Sequence, residues 1–145
     1  MSISTLSEDQ YREAISLWEA DGLTRPWNDP MADLVRAMNG ETSTVLGWTM
    51  QDGLAATAMV GHDGHRGWIY YLAVAPHKQG LGLGRMMMAA CEQWLIQHGA
   101  VKAQLMIRTT NESVISFYEH LGYEVSDVQV RAKWLNGHSE ASPVG

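Results

Sequence analysis

The chain has 145 residues, a formal net charge of −6 and 46% hydrophobic residues. This size suits one domain with its own core, and the acidic balance argues against nucleic-acid binding and favours a cationic acceptor. No stretch approaches the roughly 18 consecutive apolar residues of a membrane span, the N-terminus lacks a secretory signal, and the lone Cys91 excludes an internal disulfide. We therefore expect a cytoplasmic protein without membrane or nucleic-acid partners.

The first half of the chain predicts two helices and a hairpin. Apolar residues at helical spacing predict a helix from Ser7 or Glu8 to Ala20. The run Asn28-Asp29-Pro30 combines cap residues with a proline at the first helical position, which predicts a second helix ending near Gly40. Two strands and the tight turn between them follow at about Thr44–Met50, Gln51–Gly53 and Leu54–Gly61.

The second half predicts a strand, a glycine-rich loop and a long helix, followed by a second strand and a shorter helix. The predicted elements are a strand at Trp68–Val74, a helix at Arg85–His98, a strand at Lys102–Arg108, a helix at Glu112–Leu121 and an extended segment at Tyr123–Trp134. We expect a single domain over residues 1–134 and a flexible tail over residues 135–145.

The loop Gln79–Gly84 lies between a predicted strand and a predicted helix, where free backbone N–H groups suit a phosphate or pyrophosphate. It is not a P-loop, because Arg85 and Met86 follow the last glycine. It is not a dinucleotide fingerprint, because the glycines run G-x-G-x-G and residues 101–105 include no carboxylate. A tight structural turn is the alternative reading.

Two motifs in order resemble the GCN5-related N-acetyltransferase (GNAT) family. Gln79, Gly82 and Gly84 fit the Q/R-x-x-G-x-G/A loop that binds the coenzyme A pyrophosphate in that family. Asn111 then precedes a helix that ends F-Y-x-x-x-G-Y at Tyr123. The resemblance runs from about residue 3 to residue 134 and implies an α/β fold in which about four helices flank a mixed β-sheet. Within that family, the chain resembles small stand-alone bacterial acetyltransferases whose acceptors are not established.

The resemblance implies acetyl-CoA as cosubstrate, no metal, and a set of residues that bind it. Strand 68–74 is expected to carry a bulge and to part from strand 102–108, which leaves a slot for the pantetheine arm. The expected cofactor contacts are Leu72, Ala73, Val74, Gln79, Gly80, Leu81, Gly82, Leu83, Gly84, Arg85 and Asn111. Asn111 is equally suited to capping its helix.

Tyr118 is the residue that we expect to act as general acid, since a phenol with a pKa near ~10 can protonate a departing thiolate. The alternative is a core tyrosine with a satisfied hydroxyl. Some family members carry a glutamate base where this chain has Met106, so that role does not carry over. The candidate bases are Asp63, His65 and one of Tyr70 and Tyr71; none of them is assigned, and a water relay would serve.

The expected acceptor side includes two segments and a pair of tyrosines. The candidate residues are Trp27, Asn28, Asp29, Asp63, His65, Tyr70 and Tyr71. Strand alternation predicts that only one of Tyr70 and Tyr71 faces the slot. The alternative is structural: Trp27 covers the core while Asn28 or Asp29 caps a helix. The residues around Asp63 and His65 are expected to form a turn and not a metal site.

Together these features predict direct transfer of an acetyl group from acetyl-CoA to a primary amine in a ternary complex, without an acetyl-enzyme on the buried Cys91. The alternatives are a silent acyl-CoA-binding sensor, an acyltransferase for longer acyl chains and, more remotely, a dinucleotide oxidoreductase. The acceptor is a small-molecule amine, a protein N-terminus or a lysine. A homodimer through the segment Val125–Trp134 is a further hypothesis.

Overall fold

The computed structural model describes residues 2–137. They form two compact units that divide between Leu105 and Met106, and each unit is described by itself. Residues 138–145 of the predicted tail lie outside the described residues, and a single domain over residues 1–134 stays a prediction. Within residues 2–137, no helix is both long and apolar enough to cross a bilayer.

The first unit holds five strands and three α-helices. Its elements in chain order are β1 (Ser2–Thr5), α1 (Tyr11–Ala20), α2 (Pro30–Asn39), β2 (Ser43–Met50), β3 (Gly53–His62), β4 (Gly67–Val74), α3 (Leu83–Gln97) and β5 (Ala103–Gln104). Short 3₁₀ turns precede α1 and follow β4. The cap predicted for the second helix is present, because Asp29 Oδ1 accepts a hydrogen bond from the Ala32 N–H at 3.1 Å.

The strands form one mixed sheet in the order β1-β2-β3-β4-β5. The first four strands pair antiparallel, and β5 pairs parallel to β4. This last ladder has only two residue pairs, Gly67 with Ala103 and Trp68 with Gln104. The prediction of a strand over residues 102–108 was therefore wrong in length, and most of β4 extends past the end of its ladder with β5.

A β-bulge interrupts β4, as the family resemblance led us to expect. Thr57 pairs with Ala73 and Met59 with Tyr70, so β4 carries one residue more than β3 over this interval. Tyr71 lies in the interval with φ of +52°, and it is the one non-glycine residue of the described chain with a positive φ. An extra residue reverses the side-chain alternation beyond it, which changes which side chains of β4 share a face.

Helices cover both faces of the sheet. On one face, α1 and α2 pack through the buried Trp18 and Leu34 onto Val45 and Ala73 of the sheet. On the other face, α3 lies so close to the start of β4 that a Cβ on Gly67 would be 2.6 Å from Leu95. Cys91 of α3 is fully buried, and burial raises the pKa of its thiol to about 12, so it is unsuited to nucleophilic chemistry.

Over residues 106–137, the second unit contains one helix, α4 (Glu112–His120). Gly122 follows it with φ of +92°, which is the left-handed position that the sequence predicts for the end of this helix. The extended segment predicted at Tyr123–Trp134 forms no strand in the described part of the chain, so the expectation that it ends the sheet was wrong.

Candidate active site

The glycine loop presents bare backbone at the start of α3. Gly80 and Gly82 have φ of +85° and +81°, a left-handed conformation that glycine adopts without a steric penalty. No heavy atom lies within 4 Å of a Cβ built at either position, so the space beside the backbone is open. Gly82 is the N-cap of α3, whose first turn contains Gly84 and Arg85. The loop thus has the form of an anion cradle at a helix N-terminus.

The side chains of the loop point in different directions. Leu81 and Arg85 are exposed, whereas Leu83 is buried and fixes the loop to the core. Gln79 Nε2 donates a hydrogen bond to the Val74 carbonyl at 3.2 Å, which ties the loop to the end of β4. The loop and the end of β4 therefore form one continuous backbone surface, and we call this surface the cradle edge (Leu72, Val74 and residues 79–85).

Val74 turns its backbone groups away from β3. The Ala75 N–H donates to the Ala55 carbonyl at 2.8 Å, so by the alternation of an antiparallel ladder the N–H and C=O of Val74 face the other way. The same alternation directs the groups of Ala73 to β3. Leu72 lies within the bulge, where this alternation does not apply, and its place on the cradle edge follows from the family resemblance. The edge lies beyond the end of the β4–β5 ladder, so β5 does not pair with it.

Asp21 occupies this edge, although no sequence motif indicates it. It follows the last residue of α1, and its Oδ2 accepts the Val74 N–H at 2.9 Å. Its Oδ1 is buried and has no hydrogen-bond partner among the described residues. Burial raises the pKa of this carboxyl, and the hydrogen bond from Val74 opposes the shift. A carboxylate before Gly22 resembles an ordinary helix end, so only the fold reveals its contact.

Both tyrosines of β4 lie on the α1–α2 face of the sheet, although strict alternation would place them on opposite faces. Which of them faces the slot stays a prediction. Tyr70 lies opposite Met59, which packs against the core beneath α1 and α2. Tyr71 stacks on Trp18 with ring centroids 3.9 Å apart and donates its hydroxyl proton to Asp33 Oδ2 at 2.9 Å. The bulge explains the shared face, because it inserts a residue between two otherwise alternating positions.

The pKa values of the Tyr70 and Tyr71 phenols are raised by different neighbours. Burial, followed by the hydrogen bond and the charge of Asp33, raises the pKa of Tyr71 well above its usual range. Burial also raises the pKa of Tyr70, with a smaller effect from the charge of Asp63. Both side chains are therefore protonated hydrogen-bond donors at neutral pH and do not serve as bases in this state.

The turn after β3 is built around Asp63. Its Oδ1 accepts the N–H groups of His65 and Arg66 at 2.8 and 2.7 Å, which closes the turn and lowers the pKa of the Asp63 carboxyl. His65 is exposed. Across residues 2–137, no three His, Cys, Asp or Glu side chains are grouped so as to hold a metal ion.

The segment before α2 combines a cap with a partly buried aromatic residue. Asp29 caps α2, and the Asn28 N–H donates to the Arg25 carbonyl at 3.0 Å. The indole nitrogen of Trp27 is buried and has no hydrogen-bond partner within the described part of the chain. Structural roles thus account for the backbone at Asn28 and for the carboxylate of Asp29, while the Trp27 N–H is a donor left for a ligand or a water.

The second unit holds the remaining candidates. Asn111 is the N-cap residue of α4, although its side chain makes no capping hydrogen bond. Tyr118 is buried, and its ring meets Phe117 and Tyr123 edge to face at centroid distances of 5.0 and 5.8 Å. Met106, at the position of the family glutamate, is 55% exposed and carries no ionisable group.

Solved structures with a similar fold include several acetyltransferases. The ribosomal-protein-S18-alanine N-acetyltransferase from Escherichia coli matches with a TM-score of 0.72 and 23% identity over 86% of this chain and 79% of its own. The aminoglycoside 6'-N-acetyltransferase AAC(6')-IG from Acinetobacter haemolyticus gives 0.75 and 15% over 92% and 98%. The enzyme AAC(6')-Iy, in complex with the bisubstrate analog CoA-S-monomethyl-acetylneamine, gives 0.78 and 12% over 92% and 97%.

These likenesses establish the fold, and the sequence match establishes the family. The family model described as the acetyltransferase (GNAT) family covers residues 12–123, which include the bulged strand, the glycine loop and α4. The fold, the cradle at the start of α3 and this match agree with one another. The chain is a member of the GNAT acetyltransferase family.

Proposed function

We propose that the protein is an acetyl-CoA-dependent N-acetyltransferase that transfers the acetyl group directly to a primary amine in a ternary complex. The observation that carries the proposal is the cradle edge, where the open backbone of Gly80 and Gly82 at the start of α3 adjoins the outward-facing backbone of Val74. The residues fit coenzyme A, since the cradle suits a pyrophosphate and the strand edge suits an extended amide-containing arm.

Each part of the cradle edge has a distinct role in this proposal. The N–H groups of residues 80–85 bind the pyrophosphate at the positive end of the α3 dipole. The backbone of Leu72 and Val74 pairs with the pantetheine arm, and Asn111 contributes a side-chain amide. Bound acetyl-CoA supplies the activated thioester. N–H groups along the edge of β4 stabilise the negative charge that develops on the carbonyl oxygen.

Proton transfer is assigned to Tyr118 and to solvent. The Tyr118 hydroxyl donates a proton to the sulfur as the carbon–sulfur bond breaks, and solvent then restores it. Met106 offers no base, and the other candidate carboxylates have hydrogen-bonding roles, so water removes the proton of the attacking amine. No covalent intermediate is required, because the Cys91 thiol is buried and protonated.

Met106 also favours a second candidate function, a catalytically silent acyl-CoA-binding sensor. Its thioether cannot take up the proton that a glutamate there would accept in other family members. Binding and turnover separate the two functions. Release of free thiol from acetyl-CoA in the presence of an amine panel supports the enzyme, whereas tight binding of acetyl-CoA without thiol release on any amine supports the sensor. A longer acyl-CoA series in the same assay tests chain preference.

We place the reaction in the cytoplasm, with a small-molecule amine, a protein N-terminus or a lysine as acceptor. The net charge of −6 supports a cationic acceptor. Calorimetric titration with acetyl-CoA, followed by the thiol-release assay, tests the proposal as a whole. Binding with turnover supports it, and absence of binding by acetyl-CoA and by coenzyme A overturns it.

A further inference from the structure

We propose that Asp33 and Tyr71 form an anchor for a positively charged group of the acceptor, separate from the amine that is acetylated. The acceptor class is then a diamine or another amine that carries a second cation. This inference rests on the proposed function, because it assigns part of the acceptor side of that enzyme. Neither the family match nor the sequence motifs single out Asp33.

The anchor is a phenol–carboxylate pair with good geometry. The Tyr71 hydroxyl donates to Asp33 Oδ2 at 2.9 Å, so the phenol fixes the orientation of the carboxylate. Asp33 lies in the first turn of α2 and Tyr71 in the bulge of β4, so the bond joins two elements 38 residues apart in sequence. A carboxylate held in this way is a preorganised acceptor for an ammonium group.

The surroundings hold Tyr71 in place at a conformational cost. Its φ of +52° is unfavourable for a residue with a bulky side chain. The Trp18 ring stacks on Tyr71, and the Trp18 N–H is itself fixed by a hydrogen bond of 2.9 Å to Thr57 Oγ1. Backbone strain that is maintained by packing is concentrated at ligand sites, and here it directs the phenol toward Asp33.

The second carboxylate oxygen already contacts a cation. Asp33 Oδ1 lies 3.2 Å from a guanidinium nitrogen of Arg36. The Arg36 side chain is 75% exposed and that of Asp33 is 31% exposed, so this pair is weak and easily displaced. Arg36 therefore marks the approach that a ligand cation takes, and the two cations compete for one oxygen.

The distance from the bulge favours a second cation over the reacting amine. The reacting amine must be neutral to attack the thioester, and a neighbouring carboxylate stabilises its protonated form. Asp33 is separated from the β4 backbone by the length of a tyrosine side chain. A diamine such as 1,5-diaminopentane is long enough to place one ammonium on Asp33 while its other amine extends toward the strand.

The test compares 1,5-diaminopentane with pentylamine, which lacks the second cation. Each amine is titrated calorimetrically into the protein alone and into the protein saturated with coenzyme A, and kcat and KM are measured for both. We expect wild-type protein to bind the diamine about five times more tightly than the monoamine. Asp33→Asn should remove this preference, and Arg36→Gln should increase it about twofold by removing the competitor. Glu41→Gln is the matched control, because it removes a charge from an exposed site outside the anchor.

The opposite effects of the two variants separate an anchor from a merely structural role. Tighter diamine binding by the exposed variant Arg36→Gln does not follow from loss of packing, and it is measurable even where Asp33→Asn folds poorly. Equal preference in wild type, Asp33→Asn and Arg36→Gln overturns the anchor while coenzyme A binding and turnover still support the enzyme. Absence of coenzyme A binding by the wild type overturns the proposed function instead.

Discussion

The Asp21 carboxylate accepts the Val74 N–H at 2.9 Å on the side of β4 that faces away from β3. A ligand that pairs with this edge as a strand must take that N–H from Asp21. The contact therefore connects the end of α1 with the strand edge on which the proposed cofactor arm binds. Asp21 therefore opposes binding of the cofactor arm, because its carboxylate already accepts the Val74 N–H that the arm would use.

We expect Asp21→Ala to strengthen coenzyme A binding about three- to tenfold, since a hydrogen bond that the ligand must displace contributes roughly 0.5–1.5 kcal/mol. Calorimetric titration with coenzyme A measures the change. Glu19→Ala is the control, because Glu19 is an exposed carboxylate on the same helix. Weaker binding by Asp21→Ala would mean that Asp21 contacts the cofactor itself.

Gly82→Ala should lose at least tenfold in affinity for coenzyme A, because a side chain enters the open space beside the loop backbone. Gly99→Ala provides a matched control for backbone strain. Its φ of +85° is close to the +81° of Gly82, and a Cβ there also has no neighbour within 4 Å. Both variants should lower the free energy of unfolding by about 1–2 kcal/mol. Equal coenzyme A affinity in the two variants would contradict the cradle.

Thr57→Val should destabilise the first unit by about 1–3 kcal/mol, because the buried Trp18 N–H then lacks its acceptor. Thr57→Ser retains the hydroxyl and removes only a methyl group, at a cost of about 0.8 kcal/mol. Urea denaturation, monitored by tryptophan fluorescence, compares the free energies of unfolding of the two variants. A valine variant as stable as the serine variant would show that the hydrogen bond contributes little to holding the Trp18–Tyr71 stack.

Tyr118→Phe should lower kcat for acetyl transfer by about 10²- to 10⁴-fold while the Kd for coenzyme A changes little, because the variant lacks the hydroxyl that donates the proton to the thiolate. Thiol-release assays measure kcat, and calorimetry measures the Kd for coenzyme A. Tyr123→Phe is the control, since it removes the hydroxyl of the tyrosine whose ring packs against Tyr118. Turnover of Tyr118→Phe at the wild-type rate would refute the general-acid assignment.

Local signals in the sequence predicted most of the first unit correctly. The Asp29 cap and the proline after it start α2 as expected, and the Gln51-Asp52-Gly53 turn joins β2 to β3. These features depend on neighbouring residues only, so their patterns suffice. The glycine loop was predictable for the same reason, because positive φ at Gly80 and Gly82 requires a residue without a side chain.

Features that depend on distant contacts were not predictable in this way. Alternation along β4 places Tyr70 and Tyr71 on opposite faces, and only the register with β3 reveals the extra residue that brings them together. Asp21 and Asp33 resemble ordinary surface carboxylates until the fold brings them to Val74 and Tyr71. The shortness of β5 likewise depends on pairing with β4 and not on its apolar sequence.

Calorimetric titration of the wild-type protein with coenzyme A, acetyl-CoA and NAD tests the central claim most directly. The cradle edge predicts saturable one-to-one binding of coenzyme A and of acetyl-CoA, with no heat of binding for NAD, whose pyrophosphate lacks an attached pantetheine arm to pair with β4. Binding of NAD with no binding of coenzyme A would contradict the assignment of the glycine loop and of the strand edge beside it.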